Sequence, residues 1–309
     1  MGKTVAETIK DLTFDHLKNN NGLLLGQAIT AVGYVNHTVP KNCPGIIELS
    51  MADVAGSGIA VGTALAGRRP ILVIRFQDFL ILNGSMLINY AAKSKDMFQQ
   101  PSPIFVRALA IEGHGAGPVH SAKLHNIFMH FPGFRVWAPI TPNEYKQTWT
   151  DFLEHDDPVI SCEHRSSFSS RDEYANEIEP AADITLFGIS VGRTNIIKAA
   201  RTLRAEGITV NLVHIVQLKP LVLQQSWLEA LSRSHCGLVV DTGFETCGAG
   251  QNIAYELMLK TNKPVQALGL KDVSVGVSGD KENLTPRPEQ IVTAVKNRLR
   301  NRSGPMRSA

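Results

Sequence analysis

The chain has 309 residues, of which 43% are hydrophobic and 19% charged, so it can bury one or two sizeable cores and is neither disordered nor fibrous. Its 31 basic and 28 acidic residues are mixed along the sequence, which excludes the basic stripe of a nucleic-acid-binding protein. The four cysteines contain no C-x-x-C pair and predict reduced thiols. Because no apolar run approaches membrane-spanning length and residues 1–10 lack an apolar leader, we expect a cytoplasmic protein without membrane spans.

Short apolar runs alternate with segments of helical periodicity along the whole chain. In the first half, the apolar runs lie at residues 22–26, 45–49, 70–75, 104–108, 135–138 and 159–162. Between them, helical patterns cover residues 54–65, 87–97 and 142–154, and the last of these begins with a threonine cap followed by proline. Parallel strands joined by crossover helices produce this alternation, so we predict an α/β fold with mostly parallel sheets.

The apolar periodicity lapses after residue 165, where a serine-rich stretch is followed by an acidic one. We therefore predict two three-layer α/β domains, residues 1–170 and 183–309, joined by a linker at residues 171–182. In the second domain, we expect strands at 183–187, 208–215, 236–240 and 265–268, and helices at 194–206, 224–234, 250–260 and 288–299.

Two stretches carry more than a general α/β pattern. The first runs from Ser50 to Ala-Gly-Arg-Arg-Pro70 and is followed by Phe76-Gln-Asp-Phe79. The second contains Gln217-Leu-Lys-Pro-Leu221, Gly237-Leu-Val-Val-Asp241 and Gly248-Ala-Gly250. Both stretches resemble the beta subunits of thiamine diphosphate-dependent 2-oxo acid dehydrogenases of the pyruvate dehydrogenase type, and the related transketolases. The motifs occur in the same order as in that family, and the resemblance covers nearly the whole chain. The resemblance implies a pyrimidine-binding domain followed by a transketolase C-terminal-like domain.

The resemblance implies a carboxylate at the start of the Ala/Gly-rich helix. In this family a glutamate there binds N1′ of the aminopyrimidine and favours the imino tautomer, which removes the thiazolium proton. The residue 17 positions before Pro70 is Asp53, which keeps the charge but shortens the reach by about 1.5 Å. We expect Asp53 to be the N1′ partner. Glu48 is the alternative, and Asp53 can also be interpreted as complementing the helix dipole.

The resemblance also implies an aromatic platform and a histidine. Phe79 matches the position whose ring packs on the aminopyrimidine, with Phe76 as the alternative. Gly117-Pro-Val-His120 lies in a glycine-rich loop and is similar to the Gly-Pro-Thr-His of transketolases. We expect His120 to donate to the substrate carboxylate or to a developing oxyanion, and to exchange protons.

Other basic residues are candidates for contacting the substrate. Arg165 resembles the position of a phosphate-binding arginine in transketolases, and His114 lies in the same loop as His120. His125 and His130 are weaker candidates. Since the five-residue spacings from His120 to His125 and from His125 to His130 do not match a zinc-ligand pattern, we expect no metal site in this chain.

Half of the cofactor site is missing from the sequence. Family members hold the diphosphate and Mg²⁺ with a Gly-Asp-Gly motif that ends about thirty residues later in asparagine, and this chain has none. Ser278-Gly-Asp-Lys281 is expected to form a loop. The resemblance therefore implies an alpha-type partner that supplies the Mg²⁺ site, an α2β2 assembly that shares thiamine diphosphate between subunits, and a lipoyl or acyl-carrier domain as a further partner.

Three functions follow from these residues. The leading one is decarboxylation of a 2-oxo acid, or cleavage of a ketose, with transfer of the two-carbon or acyl unit to a lipoyl group or other acceptor. A transketolase-like transfer from a ketose phosphate would use Arg165 and His114. A catalytically inactive paralogue is favoured by Asp53, Gln27 and Leu82, which depart from the family pattern. A nicotinamide-binding protein is excluded because no glycine fingerprint follows the first strand.

Overall fold

The computed structural model describes residues 2–30, 35–278 and 282–300. Contacts divide the chain into two compact units: the first holds Met1–Glu173, Val216–Leu221 and Val275–Glu282, and the second holds the remainder. The linker at residues 171–182 stays a prediction, and the two later segments in the first unit were not expected. Residues 279–281 of the expected loop and the basic tail after residue 300 lie outside the described residues.

The described residues form eleven strands and ten α-helices. The strands are β1 (Gly22–Gly26), β2 (Ile46–Glu48), β3 (Arg69–Ile74), β4 (Phe105–Ala110), β5 (Arg135–Trp137), β6 (Val159–His164), β7 (Ile184–Ile189), β8 (Val210–Ile215), β9 (Gln217–Lys219), β10 (Cys236–Phe244) and β11 (Val265–Leu270). The helices are α1 (Val5–Asn19), α2 (Asp53–Leu65), α3 (Leu80–Met86), α4 (Ser94–Phe98), α5 (His125–His130), α6 (Pro142–Glu154), α7 (Gly192–Ala205), α8 (Gln225–Arg233), α9 (Ala249–Thr261) and α10 (Pro288–Arg300). A lipid bilayer could not be crossed by any helix in the described part of the chain, since none combines sufficient length with sufficient apolar character.

Each unit is built on one sheet. The first sheet has the order β2-β1-β3-β4-β6-β5-β9, and the second has the order β11-β10-β7-β8. All neighbours run parallel except β9, which pairs antiparallel with β5. The predicted α/β fold with mostly parallel sheets is confirmed. The strand β9 was missed because a three-residue edge strand carries too little periodicity to be recognised.

The predicted helix at residues 87–97 is wrong in its bounds. The helical segment already begins with α3 at Leu80, continues through a π-helical turn at Leu87–Ala91, and α4 follows after a short break. Ile81 and Leu82 are exposed although they are apolar, so apolar residues occur on more than one face and obscure the helical period. Helix α1 was also missed, although Thr4 and Glu7 form a capping box that the sequence displays.

An ion pair lies inside the first unit, between the central strands β4 and β6. The Arg107 guanidinium donates to both oxygens of Glu163 at 2.8 Å, and neither side chain is exposed to solvent. A further donation at 3.0 Å reaches the Thr38 hydroxyl, which ties the segment before β2 to the sheet. Because a buried charge without a partner is very costly, these two side chains depend on each other.

We expect Arg107→Met to destabilise the protein by about 3–5 kcal/mol, because it leaves the Glu163 carboxylate buried without its partner. The double variant Arg107→Met/Glu163→Leu should recover most of this loss, since it removes both charges. Urea unfolding, monitored by circular dichroism, measures the free energy of unfolding of both variants. Lys3→Met, which breaks an exposed ion pair with Asp11, is the control and should leave the midpoint unchanged. A double variant as unstable as the single one would contradict the prediction.

Candidate active site

A small cleft opens where β1 and β3 end and α2 begins. Its lining residues include Gly26, Gln27, Asp53, Gly56, Arg75, Phe79 and Asn83. Parallel strands direct their carboxyl ends to one edge of a sheet, and ligands of α/β proteins usually bind there. The cleft thus brings together two of the residues that the sequence singled out, Asp53 and Phe79.

The carboxylate of Asp53 is half-buried at the first residue of α2. The preceding residue provides no side-chain cap, and an acidic residue in the first turn complements the helix dipole. Its Oδ1 accepts a hydrogen bond from the Asn83 amide at 3.0 Å, and that amide also donates to the Phe79 carbonyl at 2.9 Å. Asn83, which was not predicted from the sequence, therefore orients the carboxylate and links α2 to α3.

Glu48, the alternative to Asp53, has other partners. One of its carboxylate oxygens accepts from the Ile29 backbone at 2.9 Å, and the other accepts from the Thr30 backbone at 3.1 Å and from the Thr30 hydroxyl at 2.7 Å. The carboxylate therefore anchors the loop after β1, and Glu48 is not among the residues that line the cleft.

Three rings pack together beside the cleft. The centroid of Phe76 lies 4.5 Å from that of His120 and 5.8 Å from that of Phe79, and His120 and Phe79 are 5.6 Å apart, all edge to face. The Arg165 guanidinium carbon lies 4.7 Å from the Phe76 ring centre, and the guanidinium donates to the Arg75 carbonyl at 2.7 Å. The structure thus brings Phe76, Phe79 and His120 into one cluster.

The other candidate histidines are not gathered at the cleft. His114 and His130 are exposed, whereas His125 is buried. Leu82, one of the departures from the family pattern, is exposed on α3, while Gln27 lines the cleft. Within residues 2–30, 35–278 and 282–300, no group of three or more His, Cys, Asp or Glu side chains is arranged to hold a metal ion.

His164, which the sequence did not single out, lies buried at the end of β6. Its Nδ1 lies 2.7 Å from the Ser166 hydroxyl and 3.3 Å from the Ser166 backbone nitrogen, and its Nε2 faces Glu112 at 4.0 Å. Burial lowers the pKa of His164 to about 4, although the Glu112 carboxylate acts in the opposite direction.

Comparisons with known proteins agree with this architecture. Residues 17–170 match the model of the transketolase pyrimidine-binding domain, and residues 173–291 match that of the transketolase C-terminal domain. The acetoin:2,6-dichlorophenolindophenol oxidoreductase subunit beta of Cupriavidus necator is 29% identical over 73% of this chain and 70% of its own length. The pyruvate dehydrogenase E1 component subunit beta of Chaetosphaeridium globosum is 29% identical over 81% of this chain and 82% of its own length.

A solved structure shares the fold. It is described as a split-gene transketolase, inactive beta4 tetramer, and superposes with a TM-score of 0.76 over 97% of this chain and 99% of that chain, at 19% identity. Because the two transketolase domain models together match residues 17–170 and 173–291, the chain belongs to the transketolase family. The sequence relatives that it resembles are named as beta subunits. The family resemblance of the sequence is confirmed.

We expect His164→Asn to reduce the acid sensitivity of the protein. The folded state binds a proton at His164 only near pH 4, whereas the unfolded chain binds one near pH 6.5, so wild-type stability falls as the pH drops through this window. The variant should lose about 2–3 kcal/mol less than the wild type between pH 7.5 and pH 4.5 in urea titrations. The exposed control His130→Asn should follow the wild-type slope, and parallel curves for His164→Asn and wild type would contradict the prediction.

Proposed function

We propose that this chain supplies the pyrimidine-binding half of a two-subunit thiamine diphosphate enzyme that decarboxylates a 2-oxo acid and passes the acyl unit to a lipoyl group or another acceptor. The main support is the cleft in which Asp53 and Phe79 lie together at the carboxyl ends of β1 and β3. The cytoplasm is the proposed compartment. An alpha-type subunit is the proposed partner, in an α2β2 assembly.

The residues at the cleft fit one end of thiamine diphosphate. The Asp53 carboxylate, held by Asn83, offers an acceptor for a protonated ring nitrogen, and Phe79 with Phe76 offers apolar ring faces and edges for a flat heterocycle. The other end of the cofactor carries a diphosphate that needs Mg²⁺, and the sequence contains no Gly-Asp-Gly motif for it. These observations support a cofactor shared with a second chain that holds Mg²⁺.

When bound, thiamine diphosphate would supply the nucleophile that attacks the carbonyl carbon of the 2-oxo acid. Asp53 would accept the hydrogen bond of the pyrimidine N1′ and thereby stabilise the tautomer needed for proton removal. The ring cluster of Phe76, Phe79 and His120 would exclude water on one side of the site. His120 would donate to the substrate carboxylate or to a developing oxyanion.

A sugar-phosphate donor has less support than a 2-oxo acid. The Arg165 guanidinium already lies over the Phe76 ring and donates to the Arg75 carbonyl, so a phosphate would compete with these contacts. The two relatives compared by sequence are named for pyruvate and acetoin, whereas the solved structure that shares the fold is named as a transketolase. Offering the reconstituted pair pyruvate, branched 2-oxo acids and xylulose 5-phosphate, and identifying the adduct by mass spectrometry, distinguishes these donors.

The chain alone should bind thiamine diphosphate poorly, because it lacks a site for the diphosphate and Mg²⁺. Isothermal titration calorimetry should show Mg²⁺-dependent binding only after a partner chain with the Gly-Asp-Gly motif is added. Omitting Mg²⁺ is the matched control and should abolish the heat of binding to the pair. Tight binding by this chain without any partner would refute the shared site.

Asp53→Ala should lower the kcat of the reconstituted enzyme by about 10²–10⁴-fold, because it removes the acceptor for N1′. Asp53→Glu should retain or raise activity, since glutamate is the residue that the family carries at this position. Asp53→Asn keeps the shape of the side chain and removes its charge, and therefore tests the charge alone. Asp96→Ala on α4 is the surface control, and light scattering checks that all variants assemble. Full activity of Asp53→Ala would exclude the proposed role and favour a site that is activated in another way.

A further inference from the structure

The loop that carries His114 and His120 is closed at its base by an ion pair between its own ends. We call residues 112–123 the histidine loop. The Lys123 ammonium lies 3.0 Å from Glu112 Oε2, and the exposed fractions of the two side chains are only 1% and 20%. A lysine this deeply buried is costly unless its charge is paired, so its partner has to lie close to it.

The carboxyl-terminal end of the histidine loop is held by two further residues. The backbone N–H of Ala122 donates to Asp78 Oδ2 at 3.1 Å, and that of Leu124 donates to Gln77 Oε1 at 2.7 Å. The Gln77 amide in turn donates to the Ala108 carbonyl of β4 at 3.1 Å. The turn Gln77–Phe79, which supplies Phe79 to the cleft, and the loop that supplies His120 are therefore one hydrogen-bonded unit.

The middle of the histidine loop combines glycines with local hydrogen bonds, among them that from the His120 N–H to the Gly117 carbonyl at 3.4 Å. Gly113, Gly115 and Gly117 all have positive φ angles, a conformation that glycine adopts without strain. The described hydrogen bonds here include the Ser121 hydroxyl to the Gly117 carbonyl at 2.8 Å, and the Gly115 N–H to a Glu282 oxygen at 2.9 Å. Because a glycine-rich segment loses much conformational entropy when it is ordered, closing its two ends lowers the cost of holding His120 in one place.

The Glu112 carboxylate is oriented from a second side. The Nε2 of His164 faces Glu112 Oε1 at 4.0 Å, while the other carboxylate oxygen faces Lys123. Nδ1 of His164 faces Ser166, so Nε2 is the ring nitrogen on the side of the carboxylate. The carboxylate thus has a cation on one side and the His164 ring on the other.

We propose that Glu112 and Lys123 are positioning residues for His120. Their ion pair, which we call the clasp, joins the two ends of the histidine loop, and Asp78 and Gln77 anchor its carboxyl-terminal end. The clasp thereby holds His120 against Phe76 and Phe79. Neither Glu112 nor Lys123 touches the substrate. The kinetic part of this inference rests on the function proposed above, whereas the effect on the loop does not.

Hydrogen exchange of the full chain, followed by mass spectrometry, tests the clasp directly. The double variant Glu112→Gln/Lys123→Met removes both charges of the pair, so neither is left buried without the other and the variant should fold. Amides of residues 113–121 should exchange about tenfold faster or more, while those of β4 keep their protection. Lys95→Met, which breaks the more exposed pair with Asp157, is the matched control and should leave the loop unchanged. Wild-type exchange of the loop in the double variant would overturn the proposal.

A double-mutant cycle with His120 separates positioning from a general structural role. In the reconstituted enzyme, Glu112→Gln/Lys123→Met should lower kcat by about 10–100-fold with little change in KM, as a misplaced catalytic group does. In a His120→Ala background the same two substitutions should cost nothing further, because the residue that they position is gone. Additive losses would overturn the proposal. If no partner yields any activity, the proposed function fails, and the exchange measurement still decides on the clasp.

Discussion

The hydrogen bond from Asn83 to Asp53 is the contact on which the site depends. It joins the first residue of α2 to α3, and its geometry decides where the carboxylate faces. The parallel order of β1 and β3 brings both helices to the same sheet edge, which explains how residues 30 positions apart meet. Because the same Asn83 amide also binds the Phe79 carbonyl, the carboxylate and the aromatic platform are held together. An aspartate in this position is therefore oriented by its neighbours despite its shorter side chain.

Paired charges organise the interior of the first unit. Arg107 and Glu163 join two central strands, while Lys123 and Glu112 join the two ends of one loop. Burial makes each pair sensitive to loss of either partner, because the remaining charge has little or no water to solvate it. The first pair serves the stability of the sheet, and the second lies next to the ring cluster of the candidate active site. The buried, neutral ring of His164 belongs to the second arrangement.

The resemblance in sequence predicted the main residues of the candidate site, but not their supports. Asp53 and Phe79 line the cleft, and Phe76 and His120 pack with Phe79 beside it, while the roles of all four stay predictions. Asn83, Gln77 and Asp78 were missed as supporting residues, although the last two stand inside the Phe76-Gln-Asp-Phe79 motif. Their contacts reach backbone and side-chain atoms about 30 to 50 residues away, and local periodicity contains no information about such pairs.

The sequence by itself determined the alternation of strands and helices, the family, and the absence of a Gly-Asp-Gly motif, because these are properties of local pattern and composition. Only the tertiary structure gave the two candidate carboxylates different surroundings. Glu48 binds the backbone after β1, whereas Asp53 faces the cleft. The tertiary structure also placed Arg165 over Phe76, and it placed β9 at the edge of the first sheet. These outcomes depend on which distant groups compete for one side chain, and that competition exists only once the chain is folded.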